Sequence, residues 1–211
     1  MNNVLITGAS GLAGREISRV LKNNGYNVWG TYHKNRVKEI DINWLYSDFS
    51  NLKGVRDFLN NNKNILKNID FIIHAYGPII FKDIKELKSE DFIKDFFDNT
   101  VVSYEVLKFL LNNSNLKKAI FFGFHEVGNH KPYKKILTYT IAKNSLLDMI
   151  VSLKEIYNDV DFKILSFTQI EGADYEVKSL PSIPSKELAK EIFKLLKSRN
   201  FSELIIKSEY Y

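Results

Sequence analysis

Residues 4–14, Val-Leu-Ile-Thr-Gly-Ala-Ser-Gly-Leu-Ala-Gly, decide the fold of this chain. The stretch begins as a short apolar run typical of a buried strand, and the residues from position 12 onward have the periodicity of an amphipathic helix. Three glycines in the spacing G-x-x-G-x-x-G therefore occupy a strand-to-helix turn. Glycine lets the backbone approach a pyrophosphate closely, and the helix N-terminus offers free N–H groups. The turn predicts dinucleotide binding through Gly8, Ser10, Gly11, Leu12 and Gly14.

Outward from this turn, short apolar runs alternate with helical segments along the whole chain. Strands are predicted at residues 4–7, 26–31, 43–47, 69–75, 118–124, 162–168 and 204–206. Helices are predicted at residues 12–24, 52–62, 89–111, 138–157 and 185–197. This alternation predicts an α/β fold, a doubly wound parallel sheet of about seven strands in a three-layer, Rossmann-type arrangement. Because no linker or break in composition interrupts it, residues 1–211 are predicted to form a single domain.

Composition narrows the classes of protein further. The 211 residues include no cysteine, which excludes disulfides, iron–sulfur clusters and cysteine nucleophiles, and we expect no metal site. The net charge of +5 is spread over scattered lysines without an arginine-rich stripe, so no nucleic-acid partner is expected. The N-terminus lacks a signal-peptide pattern and no apolar run is long enough to span a membrane. We therefore expect a cytoplasmic protein with no membrane partner.

The residues after the second predicted strand indicate which cofactor is preferred. A site for NAD(H) usually has an acidic residue there, which holds the ribose 2′-hydroxyl and would repel a 2′-phosphate. Here residues 31–36 read Thr-Tyr-His-Lys-Asn-Arg, and no acid occurs before Glu39. His33 and Lys34 are instead suited to an anionic group. We predict a preference for NADP(H), with NAD(H) left open.

A tyrosine and a lysine four residues apart begin the predicted helix 138–157. Tyr139 and Lys143 share a helix face, and an ammonium near a phenol favours the phenolate. Such a tyrosine can donate a proton to a developing alkoxide or take one from an alcohol. Tyr104 and Lys108 form a second pair at this spacing, but they lie in the middle of a helix and are predicted to be an ordinary helix face. Only Tyr139 is expected at the ligand-binding edge of the sheet.

With these motifs, nearly the whole chain resembles the short-chain dehydrogenase/reductase family. The matching positions are the glycine turn, Asp48-Phe49, His74-Ala75-Tyr76-Gly77, Asn99, and Tyr139 with Lys143. The resemblance implies that Asp48 contacts the adenine and that Phe49, Ala75, Tyr76 and Gly77 line the cofactor. It also implies that Asn99 helps a water relay protons to Lys143, that Lys143 holds the nicotinamide ribose, and that Tyr139 is the catalytic acid.

Two departures from the family pattern stand out. The glycine spacing is similar to that of the extended branch, whereas the length and the motif positions are similar to those of the common branch. The catalytic serine of the family is missing, because residues 123–126 read Gly-Phe-His-Glu. His125 is one candidate for the missing oxyanion donor. There are two alternatives. The substrate needs no such donor, as in the pteridine reductases of the family, or the chemistry is impaired.

The predicted function is the NADP(H)-dependent reduction of a carbonyl or activated C=N group on a small molecule. The resemblance also implies a homodimer or homotetramer packed through helices 89–111 and 138–157. One alternative is a regulatory protein that senses NADP(H) without turnover. Another is a sugar-nucleotide reductase or epimerase, suggested by the glycine spacing and weakened by the short C-terminal part of the chain.

Overall fold

A computed structural model describes residues 2–124, 134–174, 180–198 and 203–208. Its seven strands are β1 Asn3–Thr7, β2 Asn27–Tyr32, β3 Asn43–Tyr46, β4 Phe71–His74, β5 Lys118–Phe122, β6 Asp161–Ser166 and β7 Ile205–Lys207. Its helices are α1 Leu12–Asn23, α2 Leu52–Asn61, α3 Lys63–Leu66, α4 Ser89–Phe96, α5 Val102–Asn113, α6 Leu137–Ile156 and α7 Ser185–Lys197. The strands pair in parallel in the order β3-β2-β1-β4-β5-β6-β7. The predicted doubly wound α/β fold is confirmed.

Each face of the sheet is covered by its own hydrophobic core. Successive side chains of a strand point to opposite faces, so in β1 the side chain of Leu5 joins one core while its neighbours Val4 and Ile6 join the other. Helices α2, α5 and α6 cover the Leu5 face, and α1 and α7 cover the other. Both faces are closed to water, which explains why the central strands read as continuous apolar runs.

The long helix predicted at residues 89–111 contains an irregularity. Helices α4 and α5 are joined by a π-helical segment, Phe97–Val101, and α5 continues to Asn113. A π segment adds one residue to a helical turn and often marks a functional position. This segment contains Asn99, one of the predicted catalytic residues.

The order of the strands defines where a ligand fits. Strand β1 pairs with β2 on one side and β4 on the other, so the chain reverses direction across the sheet between β1 and β4. Open α/β sheets bind ligands at such a switch point, beyond the carboxyl ends of the strands. Thr7 and His74 end these two strands side by side, and the Thr7 hydroxyl is hydrogen-bonded to His74 Nδ1 at 2.9 Å.

Within the described ranges, none of the helices combines the length and the apolar character that crossing a membrane would require.

Candidate active site

The glycine turn forms the floor of a cleft at the switch point. Gly8 has a φ of +71°, which favours glycine, and its N–H donates to the Thr31 hydroxyl at 2.9 Å. A Cβ on Gly14 would lie 2.2 Å from the carbonyl oxygen of Gly8, so only glycine lets α1 begin this close to the turn. Gly11 precedes α1, and no side chain of the described residues caps the helix. The first N–H groups of α1 are thus left for an anion.

From this turn the cleft extends in two directions. Its inner half has a volume of about 280 Å³ and reaches the start of α6 and the segment after β6. The residues lining it are Gly8, Gly11, Leu12, Ala13, Gly14, Ala75, Tyr76, Gly77, Phe122, Tyr139, Lys143, Phe167, Ile170, Gly172, Ala173 and Asp174. Phe122 ends β5 and Phe167 directly follows β6, and their rings meet edge-on with centres 5.3 Å apart.

Tyr139 and Lys143 lie together on the wall of the inner half. Lys143 is almost fully buried, its Nζ donates to the carbonyl oxygen of Phe122 at 3.0 Å, and it lies 5.4 Å from the centre of the Tyr139 ring. Burial lowers the pKa of Lys143 to about 8. The lysine is therefore still largely an ammonium at neutral pH, held beside the phenol by a backbone carbonyl.

Asn99, in the π-helical segment, lies beside Gly77 but is not among the residues that line the cleft. Its Nδ2 donates to the carbonyl oxygens of Pro78 at 3.0 Å and Asp95 at 3.1 Å. Its Oδ1 is buried and has no hydrogen-bond partner among the described residues. A Cβ on Gly77 would lie 2.6 Å from this Oδ1 and 3.3 Å from Lys143 Nζ. The glycine therefore keeps open a small polar space bounded by an acceptor and an ammonium.

The outer half of the cleft, of about 550 Å³, lies between β2 and the segments after β3 and β4. Its lining residues are Gly8, Ser10, Gly11, Thr31, Tyr32, His33, Lys34, Ser47, Phe49, Ser50, Ala75, Tyr76, Gly77, Pro78 and Lys94. Lys34 and His33 are both exposed on its rim. A phosphate bound there would meet these two basic side chains.

Asp48 takes a different position from the other predicted cofactor residues. Hydrogen bonds from the side chain of Ser50 and, at 3.0 Å, from its N–H lower the pKa of Asp48. The carboxylate also lies 3.8 Å from His33 Nε2. Phe49 and Ser50, the next two residues of this small turn, line the outer half. The carboxylate of Asp48 therefore shapes the turn, and its contact with an adenine stays a prediction.

Tyr76 separates the two halves and lines both. Its hydroxyl donates to Asp98 Oδ1 at 3.1 Å, and Asp98 is in turn paired with Lys94, whose Nζ is 2.6 Å from the same oxygen. Burial and the negative charge of Asp98 raise the pKa of Tyr76 well above its usual value. Tyr76 is therefore a neutral phenol that donates a fixed hydrogen bond, and Lys94 adds a cation to the outer half.

Comparison with known proteins assigns the family. The model of the family described as "NAD dependent epimerase/dehydratase family" matches residues 4–204. The chain belongs to this family. The epimerase/dehydratase family is part of the short-chain dehydrogenase/reductase superfamily, so the predicted membership of that superfamily is confirmed. A search of curated proteins finds no match.

Solved structures similar to this epimerase/dehydratase family member share its fold over nearly the whole chain. An alcohol dehydrogenase from Thermococcus sibiricus, complexed with 5-hydroxy-NADP, is 20% identical with a TM-score of 0.83, covering 100% of this chain and 97% of that one. BdcA in complex with NADPH is 18% identical with a TM-score of 0.76, covering 92% and 86%. A dehydrogenase/reductase from Sinorhizobium meliloti 1021 is 15% identical with a TM-score of 0.79, covering 98% and 93%. At these identities the similarities establish the fold alone.

The structure brings most of the predicted site residues of this family member into one cleft. The glycine turn, Ala75 to Gly77, Tyr139 and Lys143 line the inner half, while Ser10, His33, Lys34 and Phe49 line the outer half. His125, the proposed substitute for the missing serine, lies outside the described residues. Of the described residues that line the inner half, none is a serine or a threonine.

Several residues that shape the site were not predicted from the sequence. Phe122 and Phe167 line the inner half and Lys94 the outer half. His74 was matched to a family motif, but its contact with Thr7, which supports the glycine turn, was not predicted. The two phenylalanines end or follow strands β5 and β6, and this position at the carboxyl edge was a usable signal. Lys94 had none, because its place depends on how α4 packs against the sheet.

Proposed function

We propose that the chain catalyses the NADP(H)-dependent reduction of a carbonyl or activated C=N group on a small molecule. The observation that carries this proposal is the buried Lys143 ammonium beside Tyr139, on the wall of a cleft that begins at the glycine turn. A proton donor, a fixed cation and a diphosphate-binding turn in one cleft are what such a reduction requires.

The cleft fits a dinucleotide on features of its own. A Cβ on Gly8, Gly11 or Gly14 would crowd backbone atoms of the protein, so the turn carries no side chains at these positions and a pyrophosphate can approach its backbone. The unpartnered Oδ1 of Asn99, beside Gly77 and Lys143, is suited to accept a hydrogen bond from a ribose hydroxyl or a water. In this proposal the turn holds the pyrophosphate and Lys143 holds the nicotinamide ribose. The bound nicotinamide supplies the hydride.

Tyr139 supplies the proton in the proposed reaction. As the substrate carbon is reduced, the phenol donates its proton to the carbonyl oxygen or to the C=N nitrogen, which yields an alcohol or an amine. The Lys143 ammonium stabilises the phenolate that remains, and its hydrogen bond to Phe122 keeps it in place. Asn99 and Lys143 then hold the water through which the phenolate recovers a proton. Phe122 and Phe167 exclude other water from the reacting groups.

Lys34 is expected to determine the preference for NADP(H). The Lys34→Glu variant replaces a cation on the outer rim by an anion, and we expect the Kd for NADPH to rise roughly 10- to 100-fold, since a hydrogen bond to a charged group contributes about 1.5–3 kcal/mol. The Kd for NADH should change little. Nucleotide fluorescence in a direct titration measures both constants.

Lys38→Glu is the matched control for this variant. Lys38 is exposed in the same segment but does not line the outer half. If both variants bound NADPH equally weakly, the effect would be one of overall charge, which would contradict a specific role of Lys34.

The similar proteins solved with NADPH and with 5-hydroxy-NADP support the NADP(H) preference.

A panel of substrates tests whether turnover occurs. We expect steady oxidation of NADPH with at least one carbonyl, pterin or quinone. Tight NADPH binding without turnover of any compound would favour the sensor, the alternative supported by the missing serine.

The family match also favours a second candidate, the conversion of a sugar nucleotide. Because an epimerisation consumes no NADPH, incubations with sugar nucleotides are analysed for new products.

The homodimer or homotetramer stays a prediction. Phe92 and Ile93 on α4 and Ile141 and Val151 on α6 are exposed apolar side chains on the helices predicted to form the interface. An interface between copies of the chain through these helices would cover these side chains.

A further inference from the structure

A buried carboxyl group outside the cleft connects two of its walls. Asp95, on α4, is fully buried. Its Oδ2 accepts the hydroxyl of Thr138 at 2.5 Å, and its Oδ1 accepts the N–H of Ile80 at 3.2 Å. Burying a carboxyl group is costly unless hydrogen bonds compensate for the lost water. Both oxygens of this group are compensated, and each by a different segment of the site.

The two segments joined by Asp95 carry different functional groups. Ile80 follows Gly77 and Pro78, which line the cleft, and Thr138 immediately precedes Tyr139 in the first turn of α6. The backbone of Asp95 also accepts a hydrogen bond from Asn99, one turn further along. The side chain and the backbone of one residue therefore contact the cofactor-lining segment, the start of α6 and the predicted relay residue.

The first turn of α6 depends on this contact. Helix α6 begins after Ile136, and no side chain of the described residues caps it. Its start is instead connected to the segment after β4 by two contacts. Asp95 accepts hydrogen bonds from both Thr138 and Ile80. In addition, the N–H of Lys82 donates to the carbonyl oxygen of Lys135 at 2.9 Å. Of these contacts, the hydrogen bond between Asp95 and Thr138 joins two buried side chains.

We propose that Asp95 is a positioning residue that fixes the phenol of Tyr139 relative to the cofactor-lining segment by holding the hydroxyl of Thr138. This inference rests on the proposed role of Tyr139 as proton donor. A displacement of about 1 Å in a reacting group can lower a rate by roughly 100-fold. The hydroxyl of the residue before Tyr139 can therefore influence the rate without touching substrate or cofactor.

The Thr138→Val variant tests the inference. Valine has nearly the same shape as threonine but cannot donate to Asp95, and the bond from Ile80 to Asp95 remains. We expect kcat to fall roughly 10- to 100-fold, and the pH profile of kcat to move, while the Kd for NADPH stays the same. Thr138→Ser keeps the hydroxyl and is expected to restore kcat and the pH profile.

Thr140→Val is the matched control. Thr140 is as buried as Thr138, but among the described residues its hydroxyl donates to the carbonyl oxygen of Ile136, directly before α6, and not to another element of the site. We expect this variant to keep the wild-type kcat and pH profile. Thermal unfolding of all three variants separates the effect on kcat from a general loss of stability. A wild-type kcat and pH profile in Thr138→Val, or equal losses in the two valine variants, would overturn the inference.

A second measurement keeps the inference testable if the proposed function fails. If the wild-type chain turns over no substrate, the ionisation of the phenol at position 139 is followed by ultraviolet absorbance. For the wild type and for each threonine variant, the absorbance of the same protein with the additional substitution Tyr139→Phe is subtracted at every pH. Thr138→Val is expected to move the midpoint of this difference titration, and Thr140→Val is not. An unchanged midpoint in Thr138→Val would overturn the positioning role independently of any activity.

Discussion

Tyr139→Phe is expected to lower kcat by roughly 10²- to 10⁴-fold, the usual contribution of a positioned acid or base. The substitution removes the hydroxyl that donates the proton but keeps the ring that lies 5.4 Å from Lys143 Nζ. Packing should therefore change little, and the Kd for NADPH is expected to stay at its wild-type value. Steady-state oxidation of NADPH at saturating substrate gives kcat, and a fluorescence titration of NADPH binding gives the Kd.

The chain contains a closely matched control for this experiment. Tyr104 and Lys108 have the same spacing, and the Lys108 ammonium also lies 5.4 Å from the tyrosine ring. This pair is on α5, away from the described lining of the cleft. Tyr104→Phe is expected to leave kcat unchanged. If Tyr139→Phe retained wild-type turnover, Tyr139 would not be the proton donor and the proposed reaction would lose its acid.

His74 is expected to make the folded chain sensitive to acid. Burial, and to a lesser extent the charge of Lys143, lowers the pKa of His74 from 6.5 to about 3. Between these two values the unfolded chain binds the proton and the folded chain does not, so stability falls as the pH falls. The stability contributed by a neutral His74 is fully present above pH 6.5, and about 5 kcal/mol of it is lost by pH 3.

Urea denaturation at a series of pH values measures this loss. His74→Asn removes the side chain that takes up the proton. The free energy of unfolding of the variant is subtracted from that of the wild type at each pH, because the contributions of other groups then cancel. We expect the wild type to lose stability relative to the variant as the pH falls below 6.5. Parallel curves for wild type and His74→Asn would contradict the assignment.

Much of the fold could be predicted because its signals are local. The apolar runs and the glycine turn depend on neighbours within a few residues, so the periodicity of the sequence located all seven strands and the five long helical segments. The π-helical segment Phe97–Val101 was missed, since its sequence continues the pattern of an ordinary helix. The segment packs against α6, where the Thr100 hydroxyl donates to the carbonyl oxygen of Ala142 at 2.8 Å, and this packing accommodates the additional residue.

The sequence by itself determined the strand–helix alternation, the glycine turn, and the placement of Tyr139 and Lys143 on one helix face. These follow from the periods of helices and strands and from the conformational freedom of glycine, which act over a few residues. The tertiary structure alone decided that His74 supports Thr7, 67 residues away, and that Asp95 holds Thr138, 43 residues away. No local pattern predicts such pairs, because a buried polar group takes whichever partner the packing of distant segments places beside it.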